Sequence, residues 1–306
     1  MSPRKSDPAI RIAAIEALVC RDVGRGTQAL IEASRGGLQQ AATALTDAKS
    51  VGLITGFFVP RDDVAAAETD GPVGAALLAA SLAGCGVPVR IAVDSPCARV
   101  VRAALAAAGC GVAIDEMGVK DRPGLERAVQ AWRKAGISHA VSIERCGRSA
   151  DGRPRNMRGV DVSAWTAPLD DLFLAGDWVR IAVGDGGNEI GMGKLPAGQI
   201  AANVANGAAI ASVTGCDHLI VAGVSNWGAY GLMAALAVLR ADWARVVLRF
   251  LTADCDREVT RAIVEKAGAV DGVTARREAT VDGFGPQIHG EVIDRLRLIA
   301  RPPGEH

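Results

Sequence analysis

Short apolar runs alternate along the chain with longer stretches in which apolar residues recur at helical spacing. After a helical beginning over about residues 8–48, the apolar runs predict buried strands at 51–58, 87–94, 138–144, 178–184, 217–224 and 245–251. The helical stretches lie near 73–83, 97–108, 123–135, 199–212, 228–240 and 255–267. Apolar strands that lack strict alternation and are separated by helices are typical of a mostly parallel sheet buried on both faces. The pattern therefore predicts a three-layer α/β fold, with helices on both faces of the sheet and a helical N-terminal segment over residues 1–48.

Residues 1–306 are predicted to form a single domain, because no repeat, low-complexity tract or Pro/Ser-rich linker interrupts the alternation. The least regular stretch is 145–177, where Gly and Pro recur without helical or strand spacing. Long connections without regular structure are uncommon in compact domains and often carry function. We therefore expect 145–177 to be a functional loop or a small insertion.

The composition excludes several classes of protein. The chain has 34 basic and 34 acidic residues, so no excess of positive charge is present to neutralise nucleic-acid phosphates. With 49% hydrophobic residues, the chain can bury a core large enough to offset its ordering entropy. Neither a disordered protein nor a nucleic-acid-binding protein is expected.

Cysteine usage and the N-terminus indicate the compartment. The 7 cysteines are an odd number, scattered without a C-x-x-C pair, which disfavours a disulfide framework or a structural zinc site. Arg11 and Glu16 interrupt what would be the apolar region of a signal peptide. Three charge-free windows, 71–89, 195–216 and 219–239, are interrupted by prolines, glycines or amide side chains, which argues against membrane spans. We expect a cytoplasmic protein without a membrane partner.

Polar residues follow the predicted strands at the points where they end. Thr55-Gly56-Phe57 comes at the end of the first strand, Glu144-Arg145 at the end of the third, and Ser225-Asn226 after the fifth. In open α/β sheets, ligands bind in the crevice outside the carboxyl ends of the strands. We therefore expect these groups to converge on one crevice, and this convergence predicts an enzyme.

The segment 183–194, VGDGGNEIGMGK, is the most informative motif. Its glycines permit close backbone approach, and Asp185, Asn188, Glu189 and Lys194 add acceptors, an amide and a cation. A glutamate replaces the last glycine of a dinucleotide fingerprint, and leucine follows the lysine where a P-loop requires Ser or Thr. No nucleotide cofactor is therefore expected.

Acidic side chains predict a cation site in the same crevice. Asp185 and Glu189 belong to the glycine-rich segment, and Glu68 and Asp70 precede an apolar helix. Carboxylates gathered in one crevice repel each other, and their hard oxygen atoms suit Mg²⁺ or Mn²⁺. These four acids are the predicted ligands if a metal cofactor is used. The alternative is that Lys194 and the arginines neutralise the cluster.

Two arginines are candidates for holding a substrate carboxylate. Arg145 follows Glu144, and Arg158 lies in the segment Asn156-Met157-Arg158-Gly159. Guanidinium groups bind carboxylates in a bidentate manner. Among the histidines, only His289, near the start of the last predicted helix, is placed to reach the crevice. Cys146 is interpreted as a buried thiol, because no basic partner is specified for it.

Taken together and in this order, these motifs resemble the D-glutamate cyclase family. The resemblance covers about residues 20–295, and it is carried by Thr55-Gly56-Phe57, Glu68-Thr69-Asp70-Gly71-Pro72, Ile143-Glu144-Arg145, Asn156-Met157-Arg158-Gly159, the segment 184–194 and Ser225-Asn226-Trp227-Gly228. It implies conversion of D-glutamate, a small acidic amino acid, to 5-oxo-D-proline with loss of water, which is a carbon–oxygen lyase reaction. Two alternatives stay open: a Mg²⁺- or Mn²⁺-dependent phosphate-ester hydrolase, and a non-catalytic amino-acid-binding protein.

For this reaction the predicted catalytic residues are Glu144, Asp185, Glu189 and Lys194. Glu144 or Glu189 accepts the ammonium proton, while Lys194, the backbone N–H groups of 186–188 or a divalent cation polarises the γ-carboxylate. One of the two arginines clamps the α-carboxylate. The other predicted substrate contacts are Thr55, Gly56, Asn156, Gly186, Gly187, Asn188, Ser225 and Asn226. Alanine and glycine on the helix faces are compatible with a homo-oligomer.

Overall fold

Six parallel strands form the central sheet, and two further strands form a separate antiparallel hairpin. The computed structural model describes residues 7–61, 64–196 and 198–302. The strands are β1 (Val51–Thr55), β2 (Phe58–Arg61), β3 (Val64–Ala67), β4 (Val89–Asp94), β5 (Ala113–Met117), β6 (His139–Ile143), β7 (Val179–Gly184) and β8 (His218–Val221). The hairpin pairs β2 with β3, and all other strands belong to the parallel sheet.

Helices connect and cover the strands. They are α1 (Pro8–Val19), α2 (Gln28–Ala33), α3 (Gly37–Leu45), α4 (Pro72–Gly84), α5 (Ser95–Ala107), α6 (Arg122–Lys134), α7 (Leu169–Leu174), α8 (Gln199–Asn203), α9 (Gly207–Ile210), α10 (Ser225–Leu239), α11 (Ala241–Phe250), α12 (Ala253–Ala267) and α13 (Pro286–Ala300). Local chemistry fixes several of the helix starts, since the side chains of Asp7, Asp121 and Thr252 accept backbone N–H groups at α1, α6 and α12. The three-layer α/β class and the helical N-terminal segment are confirmed.

Successive residues of a strand enter two different hydrophobic cores. Leu53 of β1 packs in the core formed mainly with α1, α3, α4, α10 and α13, whereas Ile54 packs in the core that includes α2, α6 and α7. Side chains of a strand point alternately to opposite faces of its sheet. Because both faces are covered, both sets of positions are apolar, and the strands appear in the sequence as continuous apolar runs.

The winding of the sheet reverses between β1 and β6. The strand order is β5-β4-β1-β6-β7-β8, so the chain builds outward on one side of β1 and then returns to build outward on the other. Thr55 at the end of β1 pairs in register with Ile143 at the end of β6. The loops after these two strands leave in opposite directions and open a crevice, which is where open α/β sheets bind ligands.

Two predictions about single elements are wrong. The run 245–251 is not a strand, since residues 245–250 belong to α11 and Leu251 caps that helix. The buried residues of this region, Trp243, Ala244, Val247 and Leu251, recur every three to four positions, as in a helix. The predicted strand 51–58 ends at Thr55, since Gly56 has a φ of 106° and turns the chain into the hairpin.

Two further differences concern local structure. The predicted helix 199–212 is divided into α8 and α9, with Asn206 between them at a φ of 58°. The edge strand β5 was not predicted, because its sequence AIDEM contains two acids and lacks an apolar run.

Among the helices of the described ranges, none combines the length and the apolar character that crossing a bilayer requires. The single-domain prediction also includes residues 1–6, 62–63, 197 and 303–306, which lie outside the described residues.

Candidate active site

A cavity of about 340 Å³ opens at the carboxyl ends of β1, β6 and β7, where the winding reverses. Its volume is in the range of pockets that bind small molecules. The charged residues that line it come from loops far apart in the sequence, namely Arg25, Glu68, Glu144, Arg158, Asp185 and Asp282. The structure therefore brings the predicted polar segments together in one crevice.

Glu144 directly follows β6, and its backbone adopts a left-handed conformation with a φ of 43°. The Ser225 hydroxyl, at the first position of α10, donates a 2.6 Å hydrogen bond to its carboxylate. Burial raises the pKa of Glu144, and the neighbouring carboxylate of Asp185 raises that pKa further. A cavity-lining carboxyl group with a raised pKa is suited to general acid–base chemistry.

Asp185 is the acid that the glycine-rich loop presents to the cavity. Its carboxylate forms a 2.7 Å ion pair with Arg25, while Oδ2 has no hydrogen-bond partner among the described residues. Burial raises the pKa of Asp185 and outweighs the opposing effect of Arg25, and Asp282 adds to the rise. Asp185 is thus a buried carboxyl group with an oxygen left over for a ligand.

Arg25 and Asp282 were not predicted as site residues. Arg25 pairs with Asp282 at 2.7 Å as well as with Asp185, and it is the cation in the middle of the acidic cluster. A tight turn presents it, in which the Asp22 carboxylate accepts the N–H groups of Gly24 and Arg25. The Gly-Arg-Gly sequence at 24–26, a few residues after the end of α1, was the available signal.

The loop that carries Asp282 is organised by one buried carboxylate. Asp271 is fully buried and accepts hydrogen bonds from the N–H groups of Val273, Thr274 and Gly283 and from the Thr280 hydroxyl. These bonds close the loop and fix the residue next to Asp282. One wall of the cavity is therefore built from a segment that the motifs did not include.

Glu189 is fully buried and holds the glycine-rich loop in shape. Its two carboxylate oxygens accept the N–H groups of Asp185, Gly186 and Gly187 at 2.6–2.8 Å. The N–H groups of Gly186 and Gly187 are thus occupied, and the prediction that they polarise a substrate carboxylate is wrong for these two residues. Glu189 positions Asp185, and its predicted role as a base or metal ligand stays a prediction.

Asp70 and Asn226 cap each other's helices. The Asp70 carboxylate, just before α4, accepts the N–H groups of Ser225 and Asn226 at the start of α10. In return, the Asn226 side-chain oxygen accepts the N–H groups of Gly71 and Gly74 at the start of α4. This exchange satisfies helix N–H groups that would otherwise lack partners. It fixes Ser225 against Glu144, and it explains these two motifs without a direct contact to a ligand.

Lys194 lies away from the cavity, and its predicted catalytic role is corrected. Its ammonium group donates a 2.8 Å hydrogen bond to the carbonyl of Asp217, which precedes β8 at the opposite end of the strands. The N–H of Gly193 bonds to Thr214 and turns the chain away from the crevice before the lysine. Lys194 is exposed, so it neither polarises a substrate in the cavity nor neutralises the acids there.

The two predicted arginine clamps have different surroundings. Arg145 is buried, and its guanidinium group forms an ion pair with Asp94 and donates to the carbonyls of Gly56 and Ala167. It is not available to a ligand, and its predicted role as a clamp is corrected. Arg158 is exposed, lines the cavity and forms no ion pair with another residue of the described ranges. Arg158 therefore remains the predicted clamp.

Of the other predicted substrate contacts, some line the cavity and others are buried in the surrounding structure. Asn156 and Asn188 line the cavity, although the Asn188 amide also donates to the carbonyl of Arg155. Thr55 is buried, and its hydroxyl has no hydrogen-bond partner in the described part of the chain.

His289 does not reach the cavity, since it is buried and accepts a 2.8 Å hydrogen bond from the Trp227 indole. Burial raises the pKa of the Cys146 thiol, which agrees with its interpretation as an unreactive side chain.

Two groups of acids have the spacing that a cation requires. The carboxylate oxygens of Asp70, Asp185 and Asp282 lie within 4.8 Å of one another, and so do those of Glu144, Asp185 and Glu189. Asp185 belongs to both groups and has an unpartnered oxygen. Glu68 lines the same cavity with its Oε1 unpartnered, but it falls outside both groups as far as the described residues show. Carboxylate oxygens of this kind suit a hard divalent cation, and Asp282, not Glu68, completes the group with Asp70 and Asp185. Arg25 already pairs with Asp185 and Asp282, and a metal ion at this site stays a prediction.

The burial of Glu68 predicts a pH-dependent effect on stability. Burial and the carboxylates of Asp282 and Asp70 raise the pKa of Glu68. A pKa raised by folding gives stability that is complete below the unfolded-state value, near 4.3, and is lost as the pH rises through the folded-state value. We expect Glu68→Gln to raise the melting temperature relative to wild type at pH 8 and not at pH 4. Exposed Glu265→Gln is the matched control, and a Glu68→Gln curve parallel to that of wild type across this range would contradict the expectation.

The chain matches a known protein family over nearly its whole length. A family model described as "D-glutamate cyclase-like, C-terminal" matches residues 15–297, which include every cavity-lining acid and both cavity arginines. This chain belongs to the D-glutamate cyclase-like family. The predicted family resemblance is confirmed, and a lyase-type enzyme is the class that it indicates.

A curated human protein is similar to part of the chain. "D-glutamate cyclase, mitochondrial" from Homo sapiens is 35% identical over 218 residues, which cover 66% of this chain. The match covers 35% of the human protein's length. The human protein's name places it in mitochondria, and the cytoplasmic location of the present chain stays a prediction.

Proposed function

We propose that this protein converts D-glutamate to 5-oxo-D-proline with loss of water. The observation that carries the proposal is that one cavity of a D-glutamate cyclase-like chain joins the buried acids Glu144 and Asp185 to the cationic groups of Arg25 and Arg158. A zwitterionic dicarboxylate offers one ammonium group and two carboxylates. The cavity has complementary groups for all three.

The reaction requires two proton transfers in the same direction. The amino nitrogen of D-glutamate forms a bond to the γ-carboxyl carbon, and one γ-oxygen leaves as water. The ammonium group loses two protons and keeps one in the lactam, while the leaving oxygen gains two. Protons therefore move from nitrogen to a γ-oxygen, and a carboxyl group between them can accept each proton and then donate it.

Glu144 is the proposed proton carrier. It faces the cavity, its raised pKa brings the neutral and ionised forms closer in free energy, and Ser225 fixes its orientation. Glu68 has a buried oxygen with no hydrogen-bond partner among the described residues, and this oxygen suits the N–H groups of a substrate ammonium. Arg158 binds the α-carboxylate, and Arg25 lies deeper, where it can stabilise negative charge on the γ-carboxyl group.

Ring closure gains most from holding the two ends of one molecule together. Intramolecular reactions with well-aligned groups obtain up to about 7 to 11 kcal/mol from proximity and orientation. An extended D-glutamate places its ammonium and γ-carboxyl groups far apart. Binding sites on separate walls of the cavity, such as Arg158 and the Asp185 loop, would instead fold the substrate toward the ring.

A divalent cation is proposed as an accessory group held by Asp185. Bound Mg²⁺ or Mn²⁺ would supply Lewis acidity at a substrate oxygen. Asp185 belongs to both acidic groups, with Asp70 and Asp282 in one and with Glu144 and Glu189 in the other, so it would be a ligand in either arrangement.

Calorimetric titration of Mn²⁺ into metal-stripped protein measures this binding directly. We expect saturable binding to wild type and at least about tenfold weaker binding to Asp185→Asn, because a carboxylate ligand is lost. Asp242→Asn, at an exposed residue paired with Arg240, is the matched control and should bind as wild type does. Equal binding by wild type and Asp185→Asn would exclude Asp185 as a ligand.

Incubation of the pure protein with D-glutamate tests the activity, in parallel reactions with Mn²⁺ and with a chelator. We expect 5-oxo-D-proline to form, and we expect no release of phosphate from a phosphomonoester under the same conditions. Phosphate release without cyclisation would favour the metal-dependent hydrolase. A raised melting temperature with D-glutamate but no product would favour an amino-acid-binding protein.

A further inference from the structure

Glu144 adopts a backbone conformation that residues with side chains rarely adopt. Its φ of 43° lies in the left-handed region, directly after the last residue of β6. Such conformations persist only when the surrounding structure enforces them, and they cluster at functional sites. The contacts around Glu144 therefore show what holds its carboxylate in the cavity.

On one side of Glu144 the structure supplies space. A Cβ atom on Gly71 would lie 2.7 Å from the Cβ of Glu144 and 2.9 Å from the Thr55 hydroxyl oxygen. Gly71 itself has a φ of 91°, so the position is suited to glycine on both grounds. The absent side chain at position 71 leaves the room that Glu144 occupies. Space alone does not hold a residue in a strained conformation.

On the other side of Glu144, the next residue, Arg145, is held both at its guanidinium group and at its backbone carbonyl. The Arg145 guanidinium lies 2.6 Å from the Asp94 carboxylate and donates to the carbonyls of Gly56 and Ala167 at 2.8 and 2.7 Å. Its backbone carbonyl accepts a 2.8 Å hydrogen bond from the N–H of Ile190. Arg145 thus ties the ends of β1, β4 and β6 to the irregular loop and to the glycine-rich loop.

Packing alone does not explain why Asp94 and Arg145 form a buried ion pair at this position. Both side chains are at most 1% exposed, and removing two charges from water is costly enough that apolar residues of similar volume often serve stability as well. A guanidinium fork does provide fixed directions, which apolar packing lacks. We propose that Arg145, held by Asp94, is a positioning residue that keeps Glu144 in its left-handed conformation and so directs the Glu144 carboxylate into the cavity. The importance of this position for turnover rests on the proposed function.

Kinetics of Arg145 variants separate positioning from general stability. We expect Arg145→Met and Asp94→Asn to lower kcat for D-glutamate by about 10²-fold, the effect of misplacing a reacting group, while KM changes little. Arg145→Lys keeps the charge but loses the fork, and it should fall between these variants and wild type. Arg148→Met is the matched control, because Arg148 lies in the same loop, pairs with Asp171 near the surface and does not line the cavity.

A readout that does not depend on turnover is the crystal structure of each folded variant, which gives the φ of Glu144 and the distance from its carboxylate to the Ser225 hydroxyl. A merely structural role for Arg145 would leave both quantities at their wild-type values in folded variants. We expect Glu144 to leave the left-handed region and its carboxylate to lose the hydrogen bond from Ser225 in folded Arg145→Lys, Arg145→Met and Asp94→Asn, and independently in Gly71→Ala. If Arg145→Met does not fold, Arg145→Lys and Asp94→Asn give the same comparison.

The outcomes distinguish this proposal from the proposed function. An inactive wild type would contradict the proposed function, whereas the conformation of Glu144 in the variants would still decide the role of Arg145. Folded Arg145 and Asp94 variants in which Glu144 keeps its wild-type φ and its hydrogen bond from Ser225 would overturn the positioning role, even in an active enzyme. Folded variants in which Glu144 is displaced, with lowered kcat in an active enzyme, would support it.

Discussion

Glu144→Gln is expected to lower kcat for D-glutamate cyclisation by about 10²- to 10⁴-fold, the usual contribution of a general acid–base group. Glutamine has nearly the same shape and can still accept the hydrogen bond from Ser225, so the fold should persist. The loss follows because an amide cannot carry a proton from the substrate nitrogen to the leaving oxygen. Steady-state kinetics with chromatographic detection of product measure the effect.

Exposed Glu291→Gln on α13 is the control for Glu144→Gln and should leave kcat unchanged. Circular dichroism and the melting temperature confirm that both variants are folded. If folded Glu144→Gln kept more than a tenth of the wild-type kcat, another group would have to transfer the protons. The proposed role of Glu144 would then be wrong.

Arg158→Ala is expected to weaken D-glutamate binding by about 1.5 to 3 kcal/mol, or about tenfold to a hundredfold, through loss of a charge-assisted hydrogen bond. Arg158 lines the cavity, is exposed and makes no ion pair within the described ranges, so the free energy of unfolding should change little. Calorimetric titration of D-glutamate and denaturant unfolding measure the two quantities separately.

Arg153→Ala is the matched control for the Arg158 variant. Arg153 lies in the same loop, pairs with Asp161 at the surface and does not line the cavity. It should leave D-glutamate affinity at the wild-type value. Equal affinities of wild type and Arg158→Ala would remove the proposed carboxylate clamp, and a large loss of stability in Arg158→Ala would mean that the arginine is structural.

Most strands of the sheet were predictable because burial on both faces is visible in each strand's own sequence. Strands such as β6 and β7 are covered on both faces, so each one appears as an apolar run that ends at polar residues. The sequence of α11 contains the same kind of run, VVL, but its buried positions follow helical spacing. β5 is partly exposed at the sheet edge, where Asp115 pairs with Arg90 of β4, and no apolar run marks it.

The candidate site was predictable only in part. Glu144 and Asp185 follow strands of a parallel sheet, and the topology carries their loops to the same edge. Arg25 and Asp282 follow no strand of the sheet, and their meeting with Asp185 depends on how the chain ends pack around α10. Tertiary contacts of that kind leave little trace in local sequence.

Charged residues of the same type in the motifs have different roles in the structure, some in the cavity and some in the scaffold, and the sequence does not specify which. Arg145 and Arg158 both looked like carboxylate clamps, but one follows a buried strand and finds Asp94, while the other lies on an exposed turn. Glu189 and Asp70 looked like ligands for a cation, yet each accepts backbone N–H groups that hold a loop or a helix end. The type of a residue gives its chemistry, and its partners decide where that chemistry is used.

The most direct test of the account is a time course of D-glutamate with purified wild-type protein, followed by chiral chromatography for 5-oxoproline. We expect 5-oxo-D-proline to accumulate in proportion to enzyme concentration, well above a protein-free blank, and folded Glu144→Gln to produce almost none. Absence of product above the blank with folded wild-type protein, in the presence and in the absence of Mn²⁺, would contradict the proposed cyclisation.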